Sequence, residues 1–99
     1  MSAETGEGDP TLEEISDMYD VIANAVGIDG AVQLTGGEPT CRKDLPEIIA
    51  MGRAKGFWGI EVNTNGLVIA QRPGYLESLV AAGLTGVYLS FDGLTGEVL

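Results

Sequence analysis

The apolar positions of the chain fall into two rhythms that take turns. Leu12, Ile15, Met18, Tyr19, Ile22 and Val26 recur at steps of three and four, which predicts one helix with Glu13, Asp17 and Asp20 turned to water. Thr11 and Glu14 have the spacing of a capping box at its start, and Gly27 ends it. After Ile28-Asp29-Gly30 the run Ala31 to Leu34 is short and continuous, as a strand is. A second helix is predicted to open at Asp44, because Asp44-Leu45-Pro46-Glu47 combines an N-cap, a first-turn proline and a matching glutamate. Leu45, Ile48, Ile49 and Gly52 form its inner face, Lys55 suits the last turn, and Gly56 stops it.

The plan then repeats. Ile60 to Val62 is a second strand, Pro73 to Ala82 a helix carrying Tyr75, Leu76, Leu79 and Val80, and Val87 to Phe91 a third strand. Leu94 to Leu99 is predicted to begin a further helix. The strand starts Ala31, Ile60 and Val87 lie 29 and 27 residues apart. Strand, turn, helix and return loop at that interval predict an α/β fold of repeated βα units around a parallel sheet. Parallel strands send their exits to one sheet edge, where ligands of such folds bind.

Three exits are polar and unlike one another. Leu34 leads into Thr35-Gly36-Gly37-Glu38-Pro39-Thr40, Val62 into Asn63-Thr64-Asn65-Gly66, and Leu89 into Ser90-Phe91-Asp92-Gly93. The glycine pair leaves peptide groups bare for a ligand, and Pro39 stiffens the turn that presents the Glu38 carboxylate. Bare backbone beside a fixed negative charge suits an ammonium group.

Composition narrows the field. The 99 residues are 44% hydrophobic with 15 glycines and 4 prolines, which reads as globular, with Met1 to Asp9 as a loop or tail. Fifteen acidic residues against five basic ones give a net charge of −10, which argues against a nucleic-acid partner. Residues 1 to 30 hold eight carboxylates and no base, a solvated face that a salt-adapted host would also favour. Cys41 stands alone and histidine is absent, which excludes an internal disulfide and a cysteine-only metal cage, so no metal ligand is assigned. Without a leader or an apolar run of about 20 residues the expectation is a cytoplasmic chain with no transmembrane segment. Phe57 and Trp58 are read as packing, Arg42-Lys43 as solvated, and Gly52 as a point of close helix-to-sheet contact.

Taken together and in order, the three exits resemble the successive strand ends of radical S-adenosylmethionine (SAM) enzymes over about residues 11 to 97. The resemblance implies that the chain is part of a six-stranded, TIM-like (βα)6 partial barrel, with residues 1–10 as a tail and 11–99 as the partial core. It implies that Gly36, Gly37 and Glu38 hold the methionyl amino group of SAM, with Pro39 shaping the turn. Asn63 and Asn65 would support the same pocket, and Ser90 and Asp92 would reach the ribose. A whole protein of this kind would cleave SAM reductively at a [4Fe–4S] cluster to a 5′-deoxyadenosyl radical, using an electron donor. The three closely spaced cysteines that hold the cluster are not in this chain, so the chain alone is expected to be inactive and the cluster to belong to the full-length protein only. No catalytic residue is assigned. The fuller strings are most similar to an archaeal branch that acts on lipid chains or methylates pterin-type cofactors. Two other readings stay open: a non-catalytic module binding a nucleotide or amino acid, and an inactive truncated product whose unpaired strand edges promote self-association.

Overall fold

A computed structural model describes residues 9–91 and 94–97. The helix α1 (Leu12–Val26) begins on the expected capping box: Glu14 N–H donates to Thr11 Oγ1, and Thr11 N–H to Glu14 Oε1. Strand β1 (Ala31–Leu34) follows, then a 3-10 turn at Pro39–Cys41 and helix α2 (Leu45–Ala54). Next come β2 (Gly59–Thr64), a short α3 (Leu67–Gln71), α4 (Tyr75–Ala82), β3 (Gly86–Phe91) and β4 (Leu94–Glu97).

The sheet order is β1-β2-β3-β4. The first three strands are parallel, with Val32 opposite Ile60 and Val62 opposite Val87. This is the α/β architecture of repeated βα units, consistent with a fragment of a TIM-like barrel. Side chains alternate across a strand, and here the alternation separates two chemistries. Val32, Leu34, Ile60, Val62 and Val87 are buried and share one core with Ile15 and Tyr19 of α1, Leu45, Ile48 and Ile49 of α2, and Leu79 of α4. All the larger helices therefore cover one face. Gln33, Glu61, Asn63, Tyr88 and Ser90 occupy the alternate positions, on the other face, and are half-buried.

Close contact explains Gly52. A Cβ there would lie 2.6 Å from Ile60 Cδ1 and 2.8 Å from the Tyr19 ring, so α2 crosses β2 and α1 at a distance only glycine permits. Tyr19 is wedged in the same place; its hydroxyl donates to Ile48 O at 2.9 Å, and its ring tilts against Phe57.

Several local expectations are corrected. Residues 94–97 form an antiparallel strand on β3, with Phe91 opposite Leu94, in place of the start of a helix. A four-residue polar and apolar mixture has no period of its own, and the free edge of β3 decides its conformation. The expected helix from Pro73 begins at Tyr75, and α3 precedes it. Asp44 makes no side-chain cap because its carboxylate is taken by the fork of Arg42, whose Nη2 lies 3.1 Å from Asp44 Oδ2. Arg42 is thus paired and not simply solvated. Phe57 is buried as expected, whereas Trp58 and Val26 are exposed. Of the tail expected at residues 1–10, residues 1–8 lie outside the described residues, as does Asp92. Among the described residues no helix is long and apolar enough to cross a membrane.

Candidate functional site

The site is built where β1 and β2 stop. Beyond Leu34 the chain turns at Gly36, whose φ of 112° lies in the left-handed region that favours glycine. Glu38 is then extended, with φ −107° and ψ 102°, as a residue before proline should be. Pro39 opens the 3-10 turn, closed by Cys41 N–H donating to Glu38 O at 3.0 Å and Arg42 N–H to Pro39 O at 3.0 Å. On the neighbouring strand, Thr64 ends β2 and Gly66, at φ 81°, begins the turn into α3. Asn65 Oδ1 accepts from Leu67 N–H at 3.0 Å, a local side-chain turn that satisfies a donor at the start of α3.

The Glu38 carboxylate joins these two turns. Oε2 accepts from Thr40 N–H at 3.1 Å, from the Thr40 hydroxyl, and from the Thr64 hydroxyl at 2.7 Å. Oε1 accepts from Asn65 N–H at 2.8 Å. Thr64 Oγ1 in turn accepts from Gly66 N–H at 3.1 Å. Partial burial by itself would raise the carboxyl pKa; the donors from Asn65, Thr40 and Thr64 outweigh it and hold Glu38 below the usual glutamate range. Behind the turn, the buried Tyr75 donates its hydroxyl to Thr40 O at 3.4 Å, and burial pushes that phenol up. Arg72 lies 4.7 Å over the Tyr75 ring.

An open cleft of about 330 Å³ lies between the exits, lined by residues 35–38, residues 63–65 and Ser90. That volume is at the lower end of small-molecule sites, about 300–1,000 Å³. The cleft brings together six of the eight residues expected from the sequence: Gly36, Gly37, Glu38, Asn63, Asn65 and Ser90. Pro39 is buried behind the turn, and Asp92 lies outside the described residues. Thr35 and Thr64 line the cleft without having been singled out, and Thr40 and Tyr75 support it from behind. Their hydroxyls carry no periodic signal; Thr64 meets Glu38 only because β1 lies beside β2, and Tyr75 meets Thr40 O only because α4 packs behind the turn.

Among the described residues no group of three His, Cys, Asp or Glu side chains could hold a metal ion, and Cys41 is an exposed free thiol. A [4Fe–4S] cluster needs several thiolates, so the residues present do not fit one.

Comparison with known proteins agrees with this geometry. The description "Radical SAM superfamily" matches residues 2–99. The chain is 39% identical over 87 residues to the 7,8-dihydro-6-hydroxymethylpterin dimethyltransferase of Methanocaldococcus jannaschii, covering 88% of this chain and 17% of that protein. It is 46% identical over 67 residues to a probable GTP 3′,8-cyclase of Metallosphaera sedula, covering 68% and 20%. It is 37% identical over 92 residues to GTP 3′,8-cyclase 1 of Mycobacterium tuberculosis, covering 88% and 24%. The chain thus spans less than a quarter of the length of these relatives. Three polar strand ends gathered at one cleft, and a family match running along nearly all of the chain, lead to one conclusion: this protein belongs to the radical SAM superfamily.

Proposed function

We propose that the cleft is part of a binding site for S-adenosylmethionine. The observation that carries the reading is the convergence of three unlike strand exits, at residues 35–38, residues 63–65 and Ser90, on one polar cleft beside the bare backbone of Gly36 and Gly37. The chemistry fits: a methionyl ammonium finds negative charge and unshielded peptide groups at the first exit, and a ribose finds amide and hydroxyl side chains at the other two. Asp92 is proposed as a further ribose contact. The group supplies, when bound, the reductive cleavage described above, which calls for thiolate-held iron that this donor set does not offer. The part proposed for this chain is to bind and orient the cofactor, with Pro39 and the 3-10 turn keeping the glycines in place.

For the whole protein we propose action on a fused heterocycle carrying an aminopyrimidinone ring, the ring that a pterin and the guanine of GTP have in common. The names of the M. jannaschii and M. tuberculosis relatives support this, and of the lipid and pterin expectations only the pterin one has such support. An external electron donor belongs to the same proposal.

Titration calorimetry of the chain with SAM tests the binding reading. Saturable binding that Gly36→Val abolishes is expected, since valine resists the left-handed turn and fills the cleft. Binding of ATP or free methionine as tight as that of SAM would favour a plain nucleotide or amino-acid module instead. No binding of SAM at all would end the proposal.

A further inference from the structure

We infer that Glu61, seconded by Gln33, is a specificity-determining residue for the substrate: its carboxylate reads the two-donor edge of an unphosphorylated aminopyrimidinone ring lying beneath the cleft. The inference rests on the reading that the whole protein acts on such a ring, and it gives that ring a place and partners on this chain.

The strand register rules the sheet face away from the helices into rows. Thr35 and Asn63 line the cleft. Two residues back along the strands, about 6.6 Å deeper, Gln33 stands opposite Glu61 and Glu61 opposite Gly86. Gln33 and Glu61 are half-buried, and among the described residues neither side chain has a hydrogen-bond partner or an ion pair. A carboxylate drawn partly out of water without donors costs free energy, which a ligand bearing N–H groups recovers. Gly86 gives the carboxylate its room: a Cβ there would lie 3.0 Å from Glu61 Cγ and 3.2 Å from Oε2. An aminopyrimidinone presents its amino group and the adjacent ring N–H side by side, the same pair of parallel donors that a carboxylate accepts from a guanidinium. The ring carbonyl follows next along that edge, where a carboxamide N–H can donate, and Gln33 stands one strand away, about 4.8 Å. Tyr88, two residues beyond Gly86, adds aromatic surface for a planar ring on the same face. The five bases of the chain lie in or beside α2 and just before α4. None of them offsets a triphosphate on this face, and Glu61 repels one.

The test titrates the 99-residue chain near neutral pH with 6-hydroxymethylpterin, with 6-hydroxymethyllumazine and with GTP, following backbone amides by NMR. Lumazine replaces the amino group by a carbonyl, so its edge offers one donor and one acceptor. The native chain is expected to hold the pterin at least about tenfold more tightly than the lumazine and than GTP, with shifts centred on Gln33, Glu61 and Gly86. Glu61→Gln presents one acceptor and one donor, the complement of the lumazine edge, so the preference should vanish or invert. A general loss of packing would weaken both rings alike. Equal binding of pterin and lumazine by the native chain would overturn the inference, as would a preference that survives Glu61→Gln; the ring reading would then stand without this carboxylate. GTP bound as tightly as the pterin, or shifts centred on Gly36 and Gly37, would overturn it too. If neither ring binds, the inference falls, and methylguanidine, a two-donor cation without a ring, tells why. Binding of it that Glu61→Gln abolishes would put the failure on the ring reading, and no such binding would put it on the carboxylate.

Discussion

A carboxylate fed by four donors responds to acid differently from a free one. The pKa of Glu38 is lower in the folded chain than in the unfolded one, so its contribution to stability is complete above the ordinary glutamate range. It fades as the pH falls through that range towards the lower folded value. The expected outcome is a gap in urea midpoint between the native chain and Glu38→Gln that is widest near neutral pH and narrows on acidification to about pH 3. A gap independent of pH would contradict it. Thr64 belongs to the same scale. Thr64→Val keeps the shape and removes a buried hydroxyl that both donates and accepts, so a loss of about 1–3 kcal/mol in unfolding free energy is expected.

At the scale of elements, the contact of α2 with β2 and α1 is set by one missing side chain. Gly52→Ala would ordinarily help a helix by about 1 kcal/mol. Here the added methyl would sit 2.6 Å from Ile60 Cδ1 and 2.9 Å from the Tyr19 hydroxyl, within a core that has nowhere to move it. Net destabilisation of about 1–3 kcal/mol is expected, seen as a lower urea midpoint with an unchanged slope. This residue was legible in the sequence, because a glycine inside a helical period costs stability and needs a packing reason. So were α1, β1, β2 and β3, whose apolar periods are long or bounded by glycine. What escaped were features created by tertiary neighbours. The Asp44 cap has the right local signature and still does not form, since Arg42 competes for its carboxylate. The Glu38, Asn63 and Ser90 side of the cleft was legible from three polar strand ends in parallel order together with the family resemblance, whereas Thr64 and Tyr75 acquire their roles only when β2 and α4 come to rest beside the first turn.

At the scale of the whole molecule, a net charge of −10 on 99 residues means self-repulsion that salt relieves. The melting temperature is expected to rise by several degrees between about 0.02 and 0.5 M sodium chloride, and a flat response would show that the carboxylates are already neutralised locally. Lys55 on Asp20, at 2.8 Å, and Arg42 on Asp44 are the two ion pairs among the described residues, which leaves most of the described carboxylates without a basic partner. Among the described residues nothing pairs with the outer edge of β1. A free edge is a template for another strand, so the thermal transition is expected to shift with protein concentration; a sharp, concentration-independent transition of a monomer would contradict this.

The antiparallel β4 has a consequence for how this sheet could ever grow. A strand hydrogen-bonds through only two sides, and β3 gives one to β2 and the other to β4. Whatever arrives next, whether more chain or a second molecule, finds that berth occupied, so closing a curved wall beyond β3 first requires the hairpin to peel off. Barrel and hairpin are rival tenants of the same row of amides.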